Sequence, residues 1–293
     1  MTRLHGCITA LVTPFTAAGA LDEPALRALV EWQIASGVHG LVPVGSTGEA
    51  VTLTLEEKVR VVSITAEVAA GRVPVIAGAG SNDTTTAIAW SHAMVEAGAT
   101  HLLHVSPMYN KPPQRGIIAH FRAVADAARV PIVVYNVPGR TGSNVEAATQ
   151  LAIAEHANVC AVKEASGSLP QISEILRHRP ARLAVLAGDD PLTQAVMAAG
   201  GDGVISVVSN ALPAPMARLT EACARGDQPT AAALHLALTP FFSAAFIESN
   251  PLPIKAALAM RGRIGNVLRL PLVPIDPKHE AVLRDALEAG ERA

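Results

Sequence analysis

One pattern limits this chain more than any other: a short apolar run, then a segment with helical spacing, eight times over. The runs are "CITALVTP" from Cys7, "GLVPVG" from Gly40, "PVIAGAG" from Pro74, "HLLHVSP" from His101, "PIVVYN" from Pro131, "VCAVKE" from Val159, "LAVLAGD" from Leu183 and "GVISVVS" from Gly203. Most are apolar throughout instead of alternating, as strands covered on both faces are. The intervening segments carry helical punctuation. Asp22 precedes Leu26, Leu29 and Val30 and Gly37 closes that segment, Thr54 and Glu57 form a capping box, and Gly98 and Gly200 follow alanine-rich stretches. Repeats of this kind force parallel pairing, because each return to the sheet needs a crossover. Eight units predict an α/β fold, a closed (β/α)8 TIM barrel in preference to an open doubly wound sheet. After Ser209 the pattern turns helical with no further convincing strand. The expected division is a barrel over residues 1–212 and a C-terminal helical domain over 213–293.

Composition narrows the function. Lys plus Arg number 23 against 25 Asp plus Glu, with no basic block, so the electrostatic footprint for a phosphate backbone is missing and nucleic acid is not expected as a partner. No apolar stretch approaches the ~18 residues of a membrane span, and the beginning of the chain lacks a signal-peptide pattern. A cytoplasmic location without membrane attachment is expected. The three cysteines, Cys7, Cys160 and Cys223, are far apart in apolar contexts and read as reduced, packed thiols.

In a parallel barrel the active site forms at the carboxyl ends of the strands, so the polar residues that end the apolar runs are the candidates. Lys163 ends the sixth run. Strict alternation puts Val159, Ala161 and Lys163 on one face and Cys160, Val162 and Glu164 on the other, so Lys163 either enters the barrel mouth or snorkels outward to an acidic partner. In a dry mouth, desolvation lowers its pKa, and a cation such as Arg140 lowers it further. Such an amine can form a Schiff base with a ketone or aldehyde.

"VPVGSTGEA" places Gly45, Ser46, Thr47 and Gly48 in a turn expected to open a helix. Successive N–H groups there, with the Ser46 and Thr47 hydroxyls, can hold a carboxylate; the alternative is a plain capped turn. Tyr135 ends the fifth run, beside the lysine strand, and can relay protons at an imine or simply fill the interior. Tyr109 ends the fourth run, and these are the only two tyrosines. Arg140 in "VPGRTG" can grip a second carboxylate or lie on the surface. Gly188, Asp189 and Asp190 read as a loop and cap in which glycine permits close backbone approach. No metal is expected: His101 and His104 lie three apart on a strand, on opposite faces, and the remaining histidines are scattered.

Taken in order, "GSTGEA", "SPMYNKP", "YNVPGRTG", "VKEASG", "GDD" and "GVISV" resemble the dihydrodipicolinate synthase family over essentially the whole chain. The resemblance implies a barrel with a C-terminal helical domain and a class I lyase that condenses pyruvate with L-aspartate 4-semialdehyde on the way to diaminopimelate and lysine. It implies no cofactor. It makes Lys163 the Schiff-base lysine and Tyr135 the proton-shuttling phenol. Ser46 would link Tyr135 to Tyr109, which reaches in from the neighbouring subunit of a tight dimer within a homotetramer. Thr47 would hold the pyruvate carboxylate and Arg140 the semialdehyde carboxylate, while Gly188 and Ile205 would line the site through backbone groups.

Two departures stand out. Ser46 replaces the family's usual threonine, keeping the hydroxyl and losing the methyl that restricts its rotamer. Around the interface pocket where lysine inhibits some bacterial members, this chain has Ala50, Leu55, Lys58, Thr86 and Met108 in place of small polar, histidine, acidic and tyrosine residues, and only Asn82 is retained. Weak or absent lysine feedback is the expectation. The rival reading is an N-acetylneuraminate lyase or keto-deoxy sugar acid aldolase with the same imine chemistry, against which Arg140 counts. A binding protein that has lost turnover is a third, against which the intact Lys163, Tyr135 and Tyr109 count.

Overall fold

A computed structural model describes residues 3–293. Eight strands form one sheet: β1 Gly6–Ala10, β2 Gly40–Val42, β3 Ile76–Gly78, β4 His101–Val105, β5 Ile132–Asn136, β6 Val159–Glu164, β7 Ala184–Ala187 and β8 Gly203–Ser206. All eight runs read from the sequence are there. Every pairing between them is parallel, in the order β2-β1-β8-β7-β6-β5-β4-β3. A parallel bridge between Leu41 and Val75 brings β2 to β3 and closes the cylinder.

The helices are α1 Glu23–Ala35, α2 Leu55–Ala69, α3 Thr84–Glu96, α4 Gln114–Ala127, α5 Pro138–Thr141, α6 Ala147–Ala154, α7 Leu169–His178, α8 Thr193–Ala198, α9 Pro213–Ala224, α10 Gln228–Ala244, α11 Leu252–Met260 and α12 Glu280–Glu291. Asp22 caps α1 by accepting from the Ala25 N–H, and the reciprocal Thr54–Glu57 capping box opens α2, each satisfying amides that a helix start leaves orphaned. The expected boundary at residue 213 falls at the start of α9, which packs on β1 and α8; α10 then packs on α9 and α12.

Strand pleating sorts the core into two shells. Ile8, Val42, Ile76, Val133, Leu186 and Ile205 fill the barrel interior, while the intervening residues pack outward beneath the helices. Strict alternation fails at the start of β6. The pairing with β5 steps from Ile132–Val159 directly to Val133–Ala161, skipping Cys160. Val159 therefore belongs to the outer shell and Cys160 packs against the inner one, the reverse of the sequence expectation. A bulge changes the facing of the residues before it and leaves Ala161 and Lys163 pointing inward.

Candidate active site

Lys163 stands opposite Tyr135 in the β5–β6 register and opposite Leu186 of β7. It is 5% exposed, and its Nζ lies 4.2 Å from the centroid of the Tyr135 ring. Burial pulls its pKa down from 10.5 to about 8; the charges of Asp190 and Asp189 oppose that shift and Arg140 adds to it. Glu164, one residue on, turns to the other face. Its carboxylate accepts from Asn136 Nδ2, Gln150 Nε2, Gln171 Nε2 and the Ser166 N–H, so it is not an acidic partner for Lys163. Tyr135 is 7% exposed, and burial pushes its phenol up to about 12. It remains a proton donor across the physiological range.

Both side chains line a cavity of about 460 Å³ that also touches Ser46, Thr47, Arg140, Gly188, Asp189 and Asn250. Gly188 is held by its N–H to the Glu164 carbonyl at 2.8 Å. A Cβ built there would lie 2.6 Å from Ala165 Cβ and 3.2 Å from Lys163 Cε, so glycine is what lets this backbone lie against the lysine stem.

The Gly45–Gly48 turn closes on itself through Gly48 N–H to Gly45 O at 3.1 Å and Glu49 N–H to Ser46 O at 3.1 Å. Among the described residues, the N–H groups of Gly45, Ser46 and Thr47 have no acceptor, which leaves three consecutive donors beside the cavity, a nest suited to an anion. The turn does not open a helix: a 3₁₀ turn at Ala50–Thr52 intervenes and α2 begins only after the Thr54 cap.

Arg140 is exposed at the mouth, with one guanidinium nitrogen donating to the Asn250 carbonyl at 3.0 Å. Tyr109 is 88% exposed, has φ +73° and does not line its own chain's cavity. Ile205 is fully buried in the inner shell and is not among the cavity-lining residues, whereas Val207 is.

The structure adds groups that sequence reading missed. Asn250 donates its amide to Thr47 Oγ1 at 2.9 Å, which leaves the Thr47 proton available to another acceptor. Glu49, next to the nest at φ +55°, is paired with Lys255 at 2.6 Å, with both side chains fully buried. Lys255 also donates to the Thr13 carbonyl, and the Arg269 N–H reaches Glu49. Asp190 was read as a loop residue. It is fully buried, accepts from the Ser206 hydroxyl and the Val207 and Val208 N–H groups, and burial raises its pKa to about 6. A "SNP" before a helical apolar run and a lysine inside that run were the only sequence traces of Asn250 and Lys255.

Among the described residues no cluster of three or more His, Cys, Asp or Glu is placed to hold a metal ion, and no helix is long and apolar enough to cross a membrane. His104 bonds Ser91 of α3, and burial lowers its pKa to about 3.

A closed parallel barrel with a dry amine and a phenol at the carboxyl ends of adjacent strands defines the class of lyase barrels that work through an imine. Within that class, the chain belongs to the dihydrodipicolinate synthetase family, whose sequence profile matches residues 3–290. A 4-hydroxy-tetrahydrodipicolinate synthase of Koribacter versatilis is 49% identical over 290 residues, covering 98% of this chain and 97% of that protein. The crystal structure of the dihydrodipicolinate synthase of Thermotoga maritima superposes with a TM-score of 0.97 at 40% identity, covering 99% of this chain and all of that one. A protein described as the first monomeric dihydrodipicolinate synthase variant gives 0.96 at 40% identity, covering 98% and 97% of the two chains.

Proposed function

We propose that this chain condenses pyruvate with L-aspartate 4-semialdehyde, as a 4-hydroxy-tetrahydrodipicolinate synthase in diaminopimelate and lysine biosynthesis. The relatives carry that name. The observation that carries the chemistry is the burial of Lys163, with its lowered pKa, beside Tyr135.

The neutral Nζ attacks the ketone carbon of pyruvate, and the carbonyl oxygen takes a proton to give a carbinolamine. Loss of water leaves an iminium on Lys163. Its positive charge accepts the electron pair released when a proton leaves the neighbouring methyl, giving an enamine whose carbon attacks the aldehyde. The amine of the condensed semialdehyde then attacks the iminium carbon, closing the ring, and its proton passes to the Lys163 amine as that amine departs. The Tyr135 phenol passes protons at the carbinolamine stage, with Ser46 beside it in the cavity wall.

The three unpartnered N–H groups of the nest and the Thr47 hydroxyl hold the pyruvate carboxylate. Arg140 meets the carboxylate of the semialdehyde, and Gly188 contributes backbone groups; Ile205, buried beneath the cavity-lining residues, does not reach the substrate. Tyr109, exposed on its own chain, serves the site of a neighbouring subunit, and the working assembly is a homotetramer built from tight dimers. Lys58, buried near the mouth, repels an ammonium ligand, so feedback by lysine is weak or absent.

Borohydride reduction in the presence of pyruvate alone tests the reading. The reduced adduct is expected on the Lys163 peptide and is expected to vanish in Lys163→Ala; an adduct elsewhere, or none, overturns it. Turnover of a sugar aldehyde in preference to the semialdehyde would retain the imine and reject the acceptor.

A further inference from the structure

L-aspartate 4-semialdehyde carries an ammonium and a carboxylate on one carbon, and burying such a molecule costs free energy unless both charges meet partners. Arg140 answers the carboxylate. The ammonium needs an anion.

Most acidic groups around the barrel are already spent. Glu49 is paired with Lys255 and Asp202 with Arg3 and Arg179, while Glu164 is held by side-chain amides and Asp190 by the Ser206 hydroxyl and neighbouring N–H groups. Asp189 is different. It is half-buried at the end of β7, and the Gly167 N–H is the one hydrogen-bond donor beside its carboxylate. Among the described residues no Lys, Arg or His side chain forms an ion pair with it.

That carboxylate is also the only one lining the main cavity. A second cavity of about 450 Å³, walled by α10 and the Gly167 loop, shares Asp189 and Phe246 with the first, so Asp189 has open space on two sides and room for a ligand group. Its charge and that of Arg140 both act on Lys163 and on Tyr135, which keeps the two near the reacting end. They do not bond each other, for the Arg140 guanidinium is turned to the Asn250 carbonyl. One free anion and one cation thus stand apart around the reactive amine, the pattern that complements a zwitterion.

We propose that Asp189 is a specificity-determining residue that receives the α-ammonium of the acceptor, so that Asp189 and Arg140 together select an α-amino acid aldehyde over one that lacks the amine. The inference rests on the acceptor assigned under the proposed function and adds the group that recognises its nitrogen.

Asp189→Asn keeps the size of the side chain and removes its charge. On the intact protein, kcat/KM for L-aspartate 4-semialdehyde is measured at saturating pyruvate, together with the Ki of 4-oxobutanoate, the same aldehyde without the amine, as its competitor. The variant should lose roughly tenfold or more in kcat/KM while the Ki rises by no more than about threefold. Borohydride trapping with pyruvate alone reports folding and the first step. At pH 7 it should be at least as fast as in the parent, because removing the Asp189 charge leaves more of the Lys163 amine neutral. Equal losses toward both aldehydes, an unchanged kcat/KM, or trapping that falls along with kcat/KM would each overturn the role of Asp189 and leave the acceptor assignment standing. A parent that traps pyruvate yet does not consume the semialdehyde would overturn that assignment, and this inference with it.

Discussion

Replacing Lys163 with methionine should make the protein more stable near neutral pH. The folded state holds this amine at a pKa of about 8 against 10.5 for an exposed lysine. At 1.36 kcal/mol per pKa unit, the difference amounts to ~3 kcal/mol of destabilisation. The side chain is only 5% exposed, so solvent screening removes little of it. Below pH 8 both folded and unfolded chains carry the proton and the penalty is complete. Between 8 and 10.5 the folded chain has released a proton that the unfolded chain still holds, so stability rises with pH and the penalty fades. Methionine has similar length and no charge, and a volume-conserving swap costs less than about 1.5 kcal/mol. Urea unfolding of parent and variant at equal protomer concentration, at pH 7 and again near pH 10.5, measures the effect. The variant should lead by ~2–3 kcal/mol at pH 7, and its lead should shrink by ~3 kcal/mol at the higher pH. A variant no more stable than the parent at pH 7, or a gap that ignores pH, would refute the claim that desolvation tunes this amine. The same penalty leaves about a tenth of the amine neutral at pH 7, against ~0.03% for an ordinary lysine. Catalytic readiness and lost stability are one quantity.

Two further substitutions probe the shell around that amine. Gly188→Ala puts a methyl 2.6 Å from Ala165 Cβ and 3.2 Å from Lys163 Cε; pyruvate-dependent borohydride trapping should slow by roughly tenfold or more, since small misplacements of a reacting group are costly, and an unchanged trapping rate would contradict the geometry. Lys255→Met leaves the Glu49 carboxylate buried with the Arg269 N–H as its remaining donor and should cost about 3–5 kcal/mol in urea unfolding. Adding Glu49→Leu should recover part of that loss, and a single variant as stable as the parent would show that the pair is not buried as described.

The strands were legible because each is covered on both faces and so is mostly apolar along its length, a pattern that short windows reveal. Lys163, Tyr135 and Arg140 were legible for the converse reason, as polar residues where apolar runs stop. The facing of Val159 was not. It depends on a register step against β5, and nothing in "VCAVKE" itself records that step. Asn250 and Lys255 escaped because their partners, Thr47 and Glu49, lie more than two hundred residues earlier, and such pairs exist only once the chain has closed. Lys58 was noticed as a departure from relatives, but its seat 3.6 Å from the centroid of the Trp90 ring is a property of two packed helices and could not be read from either alone.

The Glu49–Lys255 pair also sets an order of events during synthesis. A ribosome-bound chain that has emerged only as far as the last barrel strand has its reactive lysine, yet it has neither the cation that Glu49 needs nor the amide that orients Thr47. The surroundings of the Gly45–Gly48 turn are thus completed only by the segment from Asn250 to Arg269.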